Sequence, residues 1–155
     1  MPDAATKQIT EPYSARICVR FDGAPNDFNG TVYNQGDGDH ALFYWPTQPA
    51  TPERTELAEF RTQTKWVILE GKCTKGPFTD PDPKFIGMVS HAGYDLVRSD
   101  DRSNEYLSSD GIRCKYTIDG QEREVISSIE FKGAKIIFSE VEIGEQDAAH
   151  FAKPC

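Results

Sequence analysis

The chain has 155 residues, enough for one domain that buries about 70% of its unfolded surface, so neither a metal nor a disulfide is required merely to fold it. Hydrophobic residues make up 37% and aromatics 11%, a globular composition, and no run approaches the ~20 apolar residues of a membrane span. With 25 acidic against 17 basic residues the formal charge is −8, which repels phosphate backbones, argues against nucleic acid and suits a basic protein partner.

Residues 1–14 are polar and carry no charged and apolar leader pattern, so they read as a flexible arm, ahead of a single β-rich domain over 15–145 and a tail over 146–155. From Ala15 to Phe21 the chain alternates, with Ala15, Ile17, Val19 and Phe21 on one side, as a half-buried strand does. Asp22 to Asn29 is turn-rich. Thr31–Asn34 and Ala41–Trp45 read as a hairpin around a loop that carries Asp37 and Asp39. Thr51, Pro52 and Glu53 offer an N-cap, a first-turn proline and a favourable dipole charge, which predicts a short helix near 52–59.

Strand character returns at Trp66–Leu69, and Gly76-Pro77 through Pro83 reads as a loop. Phe85–Val89 and Tyr94–Arg98 are further strand segments. Ser99–Gly111, with Asp100, Asp101, Asn104, Glu105 and Asp110, reads as a long charged loop. Residues 112–143 form a three-stranded meander. Asp119-Gly120 suits a two-residue type I′ turn that sets Lys115 opposite Glu124 and Cys114 opposite Val125. A second turn at Lys132-Gly133 sets Glu130 opposite Lys135. On this register Ile126, Ile137, Val141 and Ile143 share a face that a second layer must cover or through which copies of the chain associate. The fold class is all-β, an antiparallel sandwich or barrel.

Cys18, Cys73, Cys114 and Cys155 are scattered, without the spacing of a zinc site. An even count and a cysteine at position 155 favour a disulfide and an oxidising, secreted or periplasmic, setting. The acidic pairs Asp37 with Asp39 and Asp80 with Asp82, and the group Asp100, Asp101, Asn104 and Glu105, do not match the spacing of a calcium loop. Asn29-Gly30-Thr31 satisfies the N-glycosylation triplet. Phosphate-loop, serine-elbow, zinc-protease and dinucleotide motifs do not occur, so no metal and no cofactor is expected.

His91 is the best single catalytic candidate among His40, His91 and His150, since it follows an apolar run at a strand end. The nine residues Ile86 to Tyr94 resemble the histidine-bearing strand of microbial guanyl-specific ribonucleases; the resemblance covers this fragment alone. In those enzymes the strand lies near the C-terminus and works with a Glu and an Arg, and no such motif can be assigned here.

The sequence therefore points first to a non-catalytic acidic protein that recognises a protein partner, as inhibitor, immunity protein or effector. The alternative is a barrel holding a small apolar ligand, with a lyase or isomerase activity conceivable inside it. A hydrolase centred on His91 ranks third. The expected binding residues are Asp37, Asp39, Asp100 and Asp101 in acidic loops and Tyr44, Trp45, Trp66, Tyr94 and Tyr116 as aromatic lining.

Overall fold

The computed structural model describes residues 7–8, 12–36, 39–49, 51–77, 91 and 93–155. Phe85–Val89, Asp37, Phe78, Asp80 and Asp82 lie outside them, and so does most of the expected N-terminal arm.

In chain order the strands are β1 (Lys7–Gln8), β2 (Tyr13–Phe21), β3 (Phe28–Asn34), β4 (His40–Trp45), β5 (Arg54–Glu59), β6 (Thr64–Leu69), β7 (Lys72–Pro77), β8 (Asp95–Asp100), β9 (Ser103–Leu107), β10 (Arg113–Ile118), β11 (Arg123–Phe131) and β12 (Ala134–Ile143). They form one open antiparallel sheet in the order β7-β6-β5-β4-β3-β2-β12-β11-β10-β9-β8, with β1 alongside β11 in parallel. The fold is all-β, as expected, but among the described strands the ladder does not close into a barrel.

A twisted open sheet of this width curls. Its inner side gathers Tyr13, Ala15 and Ile17 of β2, Val32, Phe43 and Ala58 of the β3–β5 half, and Tyr106, Tyr116, Ile129 and Ile136 of the other half into one apolar cluster. A smaller cluster of Leu57, Trp66 and Phe151 lies on the outer side. There the short 3-10 turn Ala148–Phe151 packs back on the sheet, with His150 against Tyr33 at 4.2 Å between centroids, and Cys155 bonds to Cys73 of β7. The disulfide that the cysteine count favoured is thus Cys73–Cys155, while Cys18 and Cys114 stay as thiols.

Three expectations fail for identifiable reasons. The helix over 52–59 is strand β5: Thr51 closes a tight turn with Gln48, and β4 and β6 flank the segment with full ladders. Ladder pairing on both edges outweighs the modest helical preference of Glu, Leu and Ala. The loop over Ser99–Gly111 holds strand β9, joined to β8 by a turn in which Asp100 accepts from Ser103 Oγ at 2.9 Å and from the Arg102 N–H. Gly76-Pro77, taken as loop, ends strand β7.

A further correction concerns the meander. The Lys132-Gly133 turn has the expected register, with Glu130 opposite Lys135. The first turn does not. Its loop is Gly120-Gln121-Glu122, with Glu122 at φ +60 and Asp119 N–H donating to the Arg123 carbonyl at 3.0 Å. The Asp119 carboxylate selects this wider turn by accepting from the Gln121 and Arg123 N–H groups at 2.8 and 2.9 Å. Ile118 now faces Glu124, which turns the start of β11 over. Irregularities at Lys115/Tyr116 and between Ser139 and Glu142, where Glu140 has φ +50, shift the alternation again.

As a result Ile126 is buried in the inner core, and Val141 and Ile143 pack against it. Ile137 alone of the four pairs outward, between Cys18 and Ser128, so the expected shared apolar face does not exist.

Among the glycines of the described residues, Gly30 stands at a close approach: a Cβ there would lie 2.6 Å from Trp45 Cε3 and 2.7 Å from the Tyr44 carbonyl oxygen. Gly30→Ala is therefore expected to cost about 2 kcal/mol or more, through displacement of the Trp45 ring, in urea unfolding followed by tryptophan fluorescence. Replacing Cys155 by Ser frees the end of an 82-residue loop and should lower stability by about 4 kcal/mol in the same measurement.

Candidate functional site

Alternation places two carboxylates on the inner side, where an apolar surface would be expected. Glu124 is 2% exposed and sits among Tyr106, Tyr116 and Asn104. Its Oε2 accepts from Tyr106 OH at 2.6 Å and from Asn104 Nδ2 at 3.2 Å, and its Oε1 lies 2.8 Å from His91 Nε2. The His91 ring stacks flat on Tyr106, 3.9 Å between centroids at 4°, and meets Tyr116 edge-on at 5.1 Å. Burial works against the charge on Glu124, but the hydrogen bonds from His91, Tyr106 and Asn104 and the pull of His91 prevail and hold its carboxyl below the ordinary 4.5. Burial, the same hydrogen bond and the Glu124 charge raise the Tyr106 phenol well above its usual range.

Glu56, also buried, faces cations. Trp45 Nε1 donates to its Oε2 at 3.0 Å, Arg54 Nη2 lies 3.3 Å from the same oxygen, and Lys65 Nζ lies 3.2 Å from Oε1. Trp45 belongs to this inner side because it stands over Gly30 and packs against the core.

At the Trp45 end the inner side carries exposed apolar groups. Val19 pairs with Phe28, and Phe21 follows two positions later on the same face, so Phe21 and Phe28 meet edge to face at 5.8 Å. Leu69, opposite Arg54, reaches the same end. Phe21 is 47% and Leu69 39% exposed.

The expected lining residues divide between the two sides. Trp45, Tyr94 and Tyr116 belong to the inner cluster, Tyr116 fully buried. Tyr44 pairs with Thr31 and Thr55 on the outer side, and Trp66 is buried there beneath Phe151, with Lys75 and Lys153 over its ring. Asp39 is nearly buried and accepts from the Arg61 N–H at 2.8 Å, so it fastens one turn to another. Asp100 is held in its own turn, where the Ser103 hydroxyl leads the groups that lower its pKa, and Asp101 is exposed beside it. Topology sets Asp39 and the Asp100–Asp101 turn at the same end of the sheet, opposite the Phe21 end.

Sequence reasoning found His91 but missed Glu124 and Glu56. Glu124 was set opposite Lys115, and only the turn register could have placed it against Ile118 and among Tyr106, Tyr116 and Asn104. Glu56 was hidden by the helix reading, although Glu56 and Ala58 alternate with Leu57 as a strand requires.

No family model matches the chain, and no curated protein matches it in sequence. Solved structures share its fold. A LolA superfamily protein from Nitrosomonas europaea has a TM-score of 0.60 at 10% identity, over 95% of this chain and 92% of its own. An uncharacterized conserved protein from Thermus thermophilus has 0.61 at 12%, over 92% and 85%. MucB, in complex with MucA(peri), has 0.51 at 12%, over 92% of this chain and 54% of its own.

Because the Glu124 carboxyl is depressed in the fold, its stabilisation is complete above the ordinary carboxylate range and is lost as pH falls below about 4.5 through the folded value. Glu124→Gln should cost about 2–3 kcal/mol at pH 7 and flatten the acid limb of a stability–pH profile measured by urea unfolding.

Proposed function

We propose that this is a non-catalytic binding protein that takes an apolar segment of a partner protein into the inner side of its sheet, at the end bearing Phe21, Phe28, Trp45 and Leu69. One observation carries the reading: the exposed apolar side chains Phe21 and Leu69 stand on the core side of the sheet, at the end where Trp45 packs against the core, and burial of such groups in a monomer is the norm. Their exposure leaves apolar area for a ligand to cover, at about 25 cal/mol per Å². The formal charge of −8 favours a basic partner by long-range attraction. A protein of the same fold, MucB, is in complex with MucA(peri), and that supports a protein ligand. The disulfide Cys73–Cys155 supports an oxidising compartment.

A small apolar ligand is the second reading. Its support is the Tyr13 hydroxyl, buried on the inner side with no hydrogen-bond partner among the described residues, an acceptor and donor that a ligand could engage.

The test uses N-phenyl-1-naphthylamine, whose fluorescence rises in apolar surroundings. Saturable binding is expected, weakened about tenfold by Phe21→Ser or Leu69→Ser and unchanged by Val97→Ser, which alters an exposed apolar side chain on β8. Displacement by a basic apolar peptide supports the first reading, and displacement by a fatty acid alone supports the second. Failure to bind, or equal loss in all three variants, overturns both.

A further inference from the structure

The environment of His91 differs from an ordinary packing site. Asn104 and Tyr106 alternate on β9, Tyr116 stands on β10 and Glu124 on β11, three adjacent strands of one ladder. The sheet itself thus builds a fixed frame: an aromatic face, an aromatic wall and a carboxylate at the back. His91 is not part of that ladder. It precedes β8 in a turn closed by the Tyr94 N–H donating to its carbonyl at 2.9 Å, with Gly93 at φ +83. Its imidazole enters the frame as a guest, parallel to Tyr106 and bonded to Glu124 Oε1.

We propose that the frame of Tyr106, Tyr116, Asn104 and Glu124 is a binding site for a planar organic cation, a guanidinium or imidazolium, and that His91 is its internal occupant until such a cation takes its place. The chemistry of the frame selects this class. A buried carboxylate gains most from a positively charged donor, and a flat cation gains further from lying against a tyrosine face. Neutral apolar groups would leave Glu124 short of a donor. Tyr106 and Asn104 bond to Oε2 and His91 to Oε1, so exchange of the occupant keeps two of the three hydrogen bonds in place. The site is independent of the apolar end, since it lies on β9–β11 toward the Asp119 turn and involves neither Phe21 nor Leu69.

The experiment titrates the folded protein with methylguanidinium, imidazole and, as a neutral flat comparator, toluene, read by NMR shifts of the Asn104 side-chain amide and the tyrosine rings. His91→Ala should bind methylguanidinium or imidazole saturably and at least tenfold more tightly than the unsubstituted protein, which must first expel its occupant. Adding Glu124→Gln to that variant should weaken binding at least tenfold again. Preference for methylguanidinium assigns an arginine side chain as the natural guest, and preference for imidazole a histidine. Toluene binding as tightly as the cations, no saturation in folded His91→Ala, or no loss in the double variant overturns the proposal. Should His91→Ala fail to fold, the unsubstituted protein decides. Methylguanidinium must then shift the His91 ring and the Asn104 amide together and saturably, and unchanged resonances overturn the site.

Discussion

Everything in this molecule depends on a single layer having to bury its own face. Eleven strands joined edge to edge have one apolar side, and no second sheet or long helix stands over it among the described residues. A layer that cannot find cover elsewhere must curl. The position of each side chain is then decided by parity alone: a residue falls inside or outside according to the turns and bulges that precede it. The bulges at Lys115/Tyr116 and Glu140 are therefore structural instructions, since they direct Ile126, Val141 and Ile143 into the core.

Parity also sends charge inward, and the buried Glu56 and Glu124 are accommodated differently. Glu56 lies among Arg54, Lys65 and the Trp45 indole near the sheet's open end. Glu124 lies deeper and relies on two neutral donors and one histidine. A buried carboxylate without donors would cost several kcal/mol, so each cluster has to be complete for the inner side to form. The outer side solves a smaller problem, since the chain after Gly144 folds back over Leu57 and Trp66 and is fastened by Cys73–Cys155.

The fold class was legible because alternation is a local property. Ala15–Phe21, the hairpin of β3 and β4 and the Lys132-Gly133 turn follow directly from spacing and turn chemistry. What escaped was decided by side chains acting on turns or by neighbours in space. Asp119 widens its turn by one pair of hydrogen bonds and so relocates Glu124, a displacement invisible in the hydrophobic pattern. Arg54–Glu59 has a helical composition and becomes a strand because β4 and β6 offer edges on both sides. Of the site, His91 was visible as a strand-end histidine, whereas its partners lie 15 to 33 positions away along the chain, a distance that spacing arguments do not cross.

The order of strands along the sheet has one remaining consequence. From β2 to β7 each strand pairs with its successor, and so does each from β8 to β12; among the described strands the two series are hydrogen-bonded to each other where β2 lies against β12, from Ala134 opposite Phe21 to Ile143 opposite Tyr13. The molecule is thus two zigzags sharing a seam. Each zigzag closes short loops, whereas the seam brings together segments more than a hundred residues apart and carries a large loop-closure entropy. The cost of loop closure in this fold thus falls on the seam rather than on either zigzag.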